Sequence, residues 1–270
     1  MGFQIFRPKK IKKIYQTLES FLKEGLYKFD TAPGYGSEKI LGNFFKYKNY
    51  EISPKITTKI PSLYKFNNKE KIDYLIKNLE KSLKNLNFDI DTVLFHDQKD
   101  IDYVLKNHDL IRSIIKSYKI KNFGFSIYDY SYFLKIKNFE KKLYIQVPTN
   151  FINDIFLKIK LNNNIKMIGR SIFLQGFLIN ENLRKIKKNI YGVHKKYFQY
   201  LDNFSLNPFL LSLSIMRNKN INQFVIGFDT FDQYKFIKNL KSKKNYNYHI
   251  KKIKYIFKKS DIVDPRKWVK

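Results

Sequence analysis

Apolar residues fall into two rhythms along this chain. Short, densely apolar runs recur at Tyr27–Ala32, Tyr50–Ile60, Asp89–His96, Lys119–Ser126, Leu143–Asn150, Asn164–Leu174 and Asn222–Asp229, and each predicts a strand. Between and around them lie longer stretches, Lys9–Gly25, Ser37–Tyr47, Asn68–Leu86, Ile101–Tyr118, Tyr128–Phe139 and Phe231–Lys243. In Ile101–Tyr118, for example, the apolar positions are Ile101, Val104, Leu105, Leu110, Ile111 and Ile114, close to the three-and-four spacing of one buried helical face. With Gly2–Phe6 as an opening strand, the chain holds about eight strand–helix pairs of about 34 residues each, the count and size of a (β/α)8 TIM barrel. No Pro/Gly/Ser-rich linker and no shift of composition divides it, so residues 1–270 read as one α/β domain, with a basic tail or helix from about 250. The segments Leu161–Asn164 and Ser242–Lys254 are low in complexity and need be no more than solvated loop or tail.

Composition narrows the class without naming a chemistry. The chain carries 53 Lys+Arg against 23 Asp+Glu, a formal net charge of +30, which invites a nucleic-acid reading. Only six of those cations are arginine, whereas phosphate and base recognition favours the forked guanidinium. The lysines are spread over the whole length among Asn, Ile, Tyr and Phe, residues with A/T-rich codons, so no specific nucleic-acid partner is expected. There is no cysteine, which leaves no disulfide framework, thiolate nucleophile or Cys-based metal site. No apolar run approaches the length of a membrane span and the opening lacks the apolar core of a signal peptide. A soluble, cytoplasmic protein follows, with a monomer as the default.

In a (β/α)8 barrel the chemistry lies where strands end and loops begin. The run Tyr27–Ala32 delivers Asp30, and Tyr35 follows in a Gly-rich turn. The next strand delivers Lys59, and the one after it His96. A phenol titrates near 10 in water, too high for a good general acid near neutrality; an ammonium beside it favours the phenolate. Lys59 supplies that ammonium, Asp30 keeps it charged, and an imidazole N–H from His96 can orient a carbonyl oxygen and stabilise charge developing there. Taken singly, each residue is more often a solvated strand end, a cap or a packing group. Their joint occurrence on successive strands points to proton donation to a carbonyl oxygen while a hydride attacks its carbon.

At these residues the chain resembles a known family. "FDTAPGYGSEKILG", Phe29–Gly42, is similar to the signature of the aldo-keto reductases, with Asp30, Tyr35, Lys59 and His96 on the family's catalytic positions. The similarity continues through Gly124–Tyr130, Tyr144–Asp154, Ile168–Ile179 and Gln223–Gln233. Gln146–Phe151 and Arg170–Leu178 are similar to a bacterial branch whose members often sit among surface-polysaccharide genes. The resemblance implies reduction of a small-molecule carbonyl substrate, or the reverse oxidation, with NADP(H) or NAD(H) bound without a Rossmann fingerprint; no G-x-G-x-x-G follows any predicted strand. It implies that Ser126 and Gln146 hold the nicotinamide carboxamide, that Ser171, Leu174 and Gly176 line the ring and pyrophosphate, and that Gly227, Thr230 and Gln233 meet the adenosine end. For Ser126, Leu174 and Gly176 ordinary packing is the competing reading.

Three departures bear on that cofactor. Ile127 follows Ser126 where relatives have Asn, Ser171 stands at the usual aromatic stacking position, and Asp229 replaces the Arg that meets the 2′-phosphate of NADP. A carboxylate at Asp229 repels that phosphate and can accept from an unphosphorylated ribose hydroxyl, which favours NADH; the surrounding lysines favour the extra phosphate. The opening strand is also short for the family. Asp89 and Asp91, at the start of a strand, read as structural, and His108, His194 and His249 have no ligand-spaced partners, so no metal is expected. Leu183–Lys196 reads as a solvated loop, the competing reading being a basic run over the cofactor's phosphates. Tyr64 and Phe66 are candidate walls of the substrate pocket. A nicotinamide-binding barrel kept for sensing or assembly is the alternative, and the intact Asp30, Tyr35, Lys59 and His96 argue against it.

Overall fold

Strand and helix alternate along the chain, and the strands are laid side by side in the order in which they are made. The computed structural model describes residues 8–46, 53–182, 188–241, 244–258, 264 and 268. Within these, β1 (Lys28–Asp30), β2 (Lys55–Ile60), β3 (Ile90–Phe95), β4 (Asn122–Ser126), β5 (Leu143–Pro148), β6 (Ile165–Arg170) and β7 (Gln223–Phe224) form a sheet in sequence order. The pairings of β1 through β5, and of β6 with β7, are parallel, which places the chain in the α/β class. The expected opening strand, Gly2–Phe6, lies outside the described residues.

The chain divides into two compact units, Met1–Gln146 with Leu161–Met167 and Asp229–Phe231, and Val147–Lys160 with Ile168–Phe228 and Asp232–Lys270. Among the described residues the first contains β1 to β4, most of β5, the first half of β6, and the helices α1 (Pro8–Lys23), α2 (Glu38–Lys46), α3 (Asn68–Leu86), α4 (Ile101–Lys106), α5 (His108–Ser117) and α6 (Tyr130–Ile136). Its core is the inner strands, where Ile56, Ile60, Val93, Leu94, Phe95, Phe123, Phe125 and Ile145 are buried. These near-continuous apolar runs are what a parallel sheet covered on both faces requires.

Local chemistry sets the helix ends. Asn67 caps α3 by accepting from Lys69 N and Glu70 N, while Glu70 Oε2 accepts from Asn67 N at 3.3 Å, a reciprocal capping box. The helix stops at Asn87, which takes a left-handed φ of 45°. Gly42 lets α2 approach that end, since a Cβ there would lie 2.2 Å from Asn85 O. The stretch Ile101–Tyr118 forms two helices instead of one. Asn107 leaves helical geometry at φ −107°, ψ 25° and turns its amide back to Tyr103 O at 2.8 Å, the local competition that makes Asn a poor residue inside helices.

The second unit is an apolar cluster. Phe151, Ile172, Leu174, Phe177 and Leu178 pack with residues of α7 (Lys188–Asn203), α8 (Pro208–Leu213) and α10 (Asn247–Phe257); α9 (Phe231–Asn239) follows β7. The expectation of a solvated loop over Leu183–Lys196 is corrected from Lys188 onward, because Ile190, His194, Tyr197, Phe198 and Leu201 are buried at three-and-four spacing along a helix. Likewise Ser242–Lys254 is more than loop, since α10 buries Ile253 and Phe257. Lysine-rich composition hid both stripes. No helix among the described residues is long and apolar enough to cross a membrane.

Candidate active site

The turn after β1 is shaped by backbone before any side chain acts. Thr31 N continues the ladder to Thr57 O at 2.8 Å. Pro33–Tyr35 then forms a single 3-10 turn closed by Gly36 at φ 70°, a conformation that glycine adopts without a Cβ clash. The turn leaves Tyr35 37% exposed at the end of the strand that carries Asp30.

Lys59, on β2, is only 1% exposed, so its ammonium needs full hydrogen bonding in place of water. It donates to Asp30 Oδ1 at 2.6 Å and to Thr31 O at 2.9 Å. The same nitrogen lies 5.2 Å from the centre of the Tyr35 ring. The Tyr35 and His96 rings stand edge to face, their centres 6.3 Å apart and their planes at 86°. His96 follows β3, and its backbone N–H continues the strand ladder to Ile60 O at 3.0 Å. Asp30, Tyr35, Lys59 and His96 therefore come together within the first unit.

Two further residues expected at the site stand in the same unit. Ser126 ends β4, is 2% exposed and pairs in register with Gln146 on β5. Gln146 donates Nε2–H to Asp30 Oδ2 at 2.8 Å, a link that sequence gave no sign of. Asp30 is thus bound on both oxygens, by Lys59 and by Gln146. Ile127 is fully buried, so the position after Ser126 offers an apolar side chain.

Among the remaining expected residues, Ser171, Leu174, Gly176, Gly227 and Gln233 belong to the second unit, and Asp229 and Thr230 to the first. Ser171, Leu174, Gln175 and Gly176 all have positive φ, from 47° to 87°. Three of these carry a Cβ, so the loop after β6 holds stored backbone strain of the kind found at functional sites. The Leu174 side chain is fully buried in the apolar cluster, as packing demands. Asn150 is also fully buried: Oδ1 accepts from Ile152 N and Asn153 N and Nδ2 reaches Ser171 O at 3.5 Å. Gly227 and Asp229 are exposed, and Thr230 precedes α9 directly. Tyr64 is 59% exposed beneath the Lys99 ammonium, whereas Phe66 packs against Tyr74 with ring centres 4.1 Å apart.

The other singled-out residues have structural partners. Asp91 Oδ2 accepts from Thr92 Oγ1 and Asn122 Nδ2, knitting β3 to β4. His194 bonds Phe177 O at 3.1 Å, and burial holds its imidazole below the usual range. Tyr197 donates to Leu178 O at 2.9 Å, and burial pushes its phenol up. His249 Nδ1 pairs with Tyr200 Oη. Among the described residues no cluster of three or more metal-ligating side chains occurs.

Residues 5–224 match the Aldo/keto reductase family, and the chain belongs to it. Its members are oxidoreductases that act on carbonyl compounds and typically use nicotinamide cofactors. Similar solved structures include an aldo-keto reductase from Bacillus halodurans in its holo form, with TM-score 0.71 and 16% identity over 90% of this chain and 87% of that one. A glycerol dehydrogenase from Gluconobacter oxydans superposes with TM-score 0.62 and 18% identity over 98% of this chain and 91% of the other. No curated protein sequence matches the chain. The family match ends at Phe224, so Gly227, Asp229, Thr230 and Gln233 lie beyond it.

Proposed function

We propose that this protein is a cytoplasmic, single-domain (β/α)8 oxidoreductase that reduces an aldehyde or ketone to the alcohol, or runs the reverse, with NADPH or NADH. The observation that carries this reading is the buried Lys59 ammonium, tied to Asp30 at 2.6 Å and lying 5.2 Å from the Tyr35 ring. A cation so placed favours the phenolate that remains after proton donation. His96, at the edge of the same ring, is the donor to the carbonyl oxygen, where negative charge grows in the transition state.

The donor set fits a nicotinamide carboxamide. Ser126, at the end of β4, and Gln146, within β5, are register partners. With the Gln146 amide N–H committed to Asp30, its Oε1 is left to accept from an amide, and the Ser126 hydroxyl can donate to an amide oxygen. When bound, the nicotinamide supplies the hydride that reaches the carbonyl carbon. Tyr35 gives its hydroxyl proton to the carbonyl oxygen, Lys59 stabilises the phenolate, and Asp30 keeps Lys59 charged and in place. In the oxidative direction Tyr35 takes the proton back. Ser171, Leu174, Gly176, Gly227, Asp229, Thr230 and Gln233 complete the cofactor contacts in this reading, with Leu174 acting through its backbone.

Titration of the purified protein with NADPH and separately with NADH, followed by nicotinamide fluorescence at physiological salt, tests the cofactor half of the reading. Saturable binding of either is expected; binding of neither would overturn it.

A further inference from the structure

The segment Asp97–Asp100, directly after His96, ties three loops together with its side chains. Asp97 Oδ2 accepts from Ser62 Oγ at 2.8 Å and Asp100 Oδ2 from Leu63 N at 3.0 Å, both on the loop that follows β2. Gln98 turns the other way. Its Oε1 accepts from Tyr128 N at 2.8 Å and Asp129 N at 3.0 Å, on the loop that follows β4, and its Nε2 donates to Asp129 Oδ2. All of these residues lie in the first unit.

Gln98 is 9% exposed and uses both ends of its amide. Its partner bears a cost. Asp129 is the N-cap residue of α6 yet makes no capping bond with its side chain, although Asp is among the residues best suited to cap a helix. A local rule given up in favour of a longer-range contact marks a position under a second demand. The demand is legible in the chain order: His96 is two residues before Gln98, and Ser126 two residues before Tyr128. On the β2 side the His96 backbone is fixed by its bond to Ile60 O. On the β4 side the segment is fixed by Gln98.

We propose that Gln98 is a positioning residue, which sets the placement of the His96 imidazole by locking its loop to the loop that follows Ser126. The catalytic consequence rests on the oxidoreductase reading above; the placement of the ring does not. Loss of the Gln98 clip lets the segment after β3 shift, and the ring that must aim at a carbonyl oxygen shifts with it. Geometry of this kind is held by supporting groups more than by the catalytic residue itself.

The test is a double-substitution cycle. Gln98→Glu keeps an acceptor for Tyr128 N and Asp129 N but sets a carboxylate against the Asp129 carboxylate. Adding Asp129→Asn gives that carboxylate an amide donor again, restoring the link with its polarity reversed. His96 is one of four histidines, so its ring signals are readily resolved by NMR in the full chain. The expected result is a changed or broadened His96 ring signal in Gln98→Glu, with those of His194 and His249 unmoved, and its return in the double variant. With a carbonyl substrate, kcat is expected to drop about tenfold in Gln98→Glu at similar nicotinamide affinity and to recover with Asp129→Asn. An unmoved His96 signal in folded Gln98→Glu overturns the proposal, as does a shift that Asp129→Asn fails to reverse. Inactivity of the wild-type chain would count against the oxidoreductase reading alone, because the NMR cycle reports on the clip without turnover.

Discussion

Adjacent residues of β2 hold two carboxylates that behave as opposites. Thr58 donates to Glu38 Oε1 at 2.7 Å, and Asn85 donates to its Oε2 at 3.1 Å, so Glu38 links β2, α2 and the end of α3. Lys59 binds Asp30, which Gln146 also holds, beside Tyr35 and His96. Glu38 is 2% exposed and met by neutral donors, a closed arrangement that can only add stability and specify packing. The Lys59–Asp30 pair has side chains 2% and 14% exposed and lies against an accessible phenol. A buried ion pair is weak evidence of stabilisation, because desolvation offsets the attraction. Successive strand residues face opposite sides, so one strand separates structural from chemical duty by alternation alone.

That separation can be broken in order of effect. Lys59→Met should lower kcat for carbonyl reduction by about two to three orders of magnitude, while the protein stays folded because Gln146 still binds Asp30; steady-state kinetics beside circular dichroism would check both. Glu38→Ala should do the reverse. Leaving the Thr58 hydroxyl and the Asn85 amide without their acceptor, next to a new cavity, should cost about 2–4 kcal/mol of stability by urea unfolding, with kcat per folded molecule unchanged.

Asp100 gives a smaller, pH-dependent effect. Burial, opposed by the Leu63 N–H, raises its carboxyl from 3.8 to about 6. Between those values the unfolded chain is ionised while the folded one keeps its proton, so this group lowers stability as pH rises through the window and by a constant amount above it. Asp100→Asn should therefore match the wild type near pH 4 and exceed it at pH 7 by on the order of 1–2 kcal/mol, read from unfolding at the two pH values. Asp229→Arg should have the mildest effect, a several-fold fall in KM for NADPH with a rise for NADH; an unchanged ratio would remove Asp229 from cofactor choice.

Strand ends were the legible part of the sequence. Asp30, Lys59 and His96 each lie at, or within one residue of, the end of a run that predicts a strand, so their convergence could be read from the order of strands in a parallel sheet. Asn68–Leu86 was equally clear as one long helix-like stretch, while its capping box at Asn67 and Glu70 came only with the structure. The helix α7 was not, and α10 was only half so, as a tail or helix from about 250, because lysines between Ile190 and Phe198 and around Ile253 swamp the stripe in a chain that is lysine-rich everywhere. Nor was the split at Asn107, which depends on one amide turning back on its own backbone. The clip at Gln98 and the bond from Gln146 to Asp30 pair residues 31 and 116 positions apart. The only sequence signal of the former is a polar Asp-Gln-Lys-Asp run directly after a strand end.

The most direct test of the central claim is the rate of carbonyl reduction by Tyr35→Phe, measured in single turnover with the cofactor prebound and its dissociation constant measured alongside. Removing the phenol hydroxyl removes the proton donor and leaves the ring that packs against His96. The account predicts a loss of about 10²–10⁴ in rate with nicotinamide binding essentially unchanged. A Tyr35→Phe protein that turns over at the wild-type rate would contradict it.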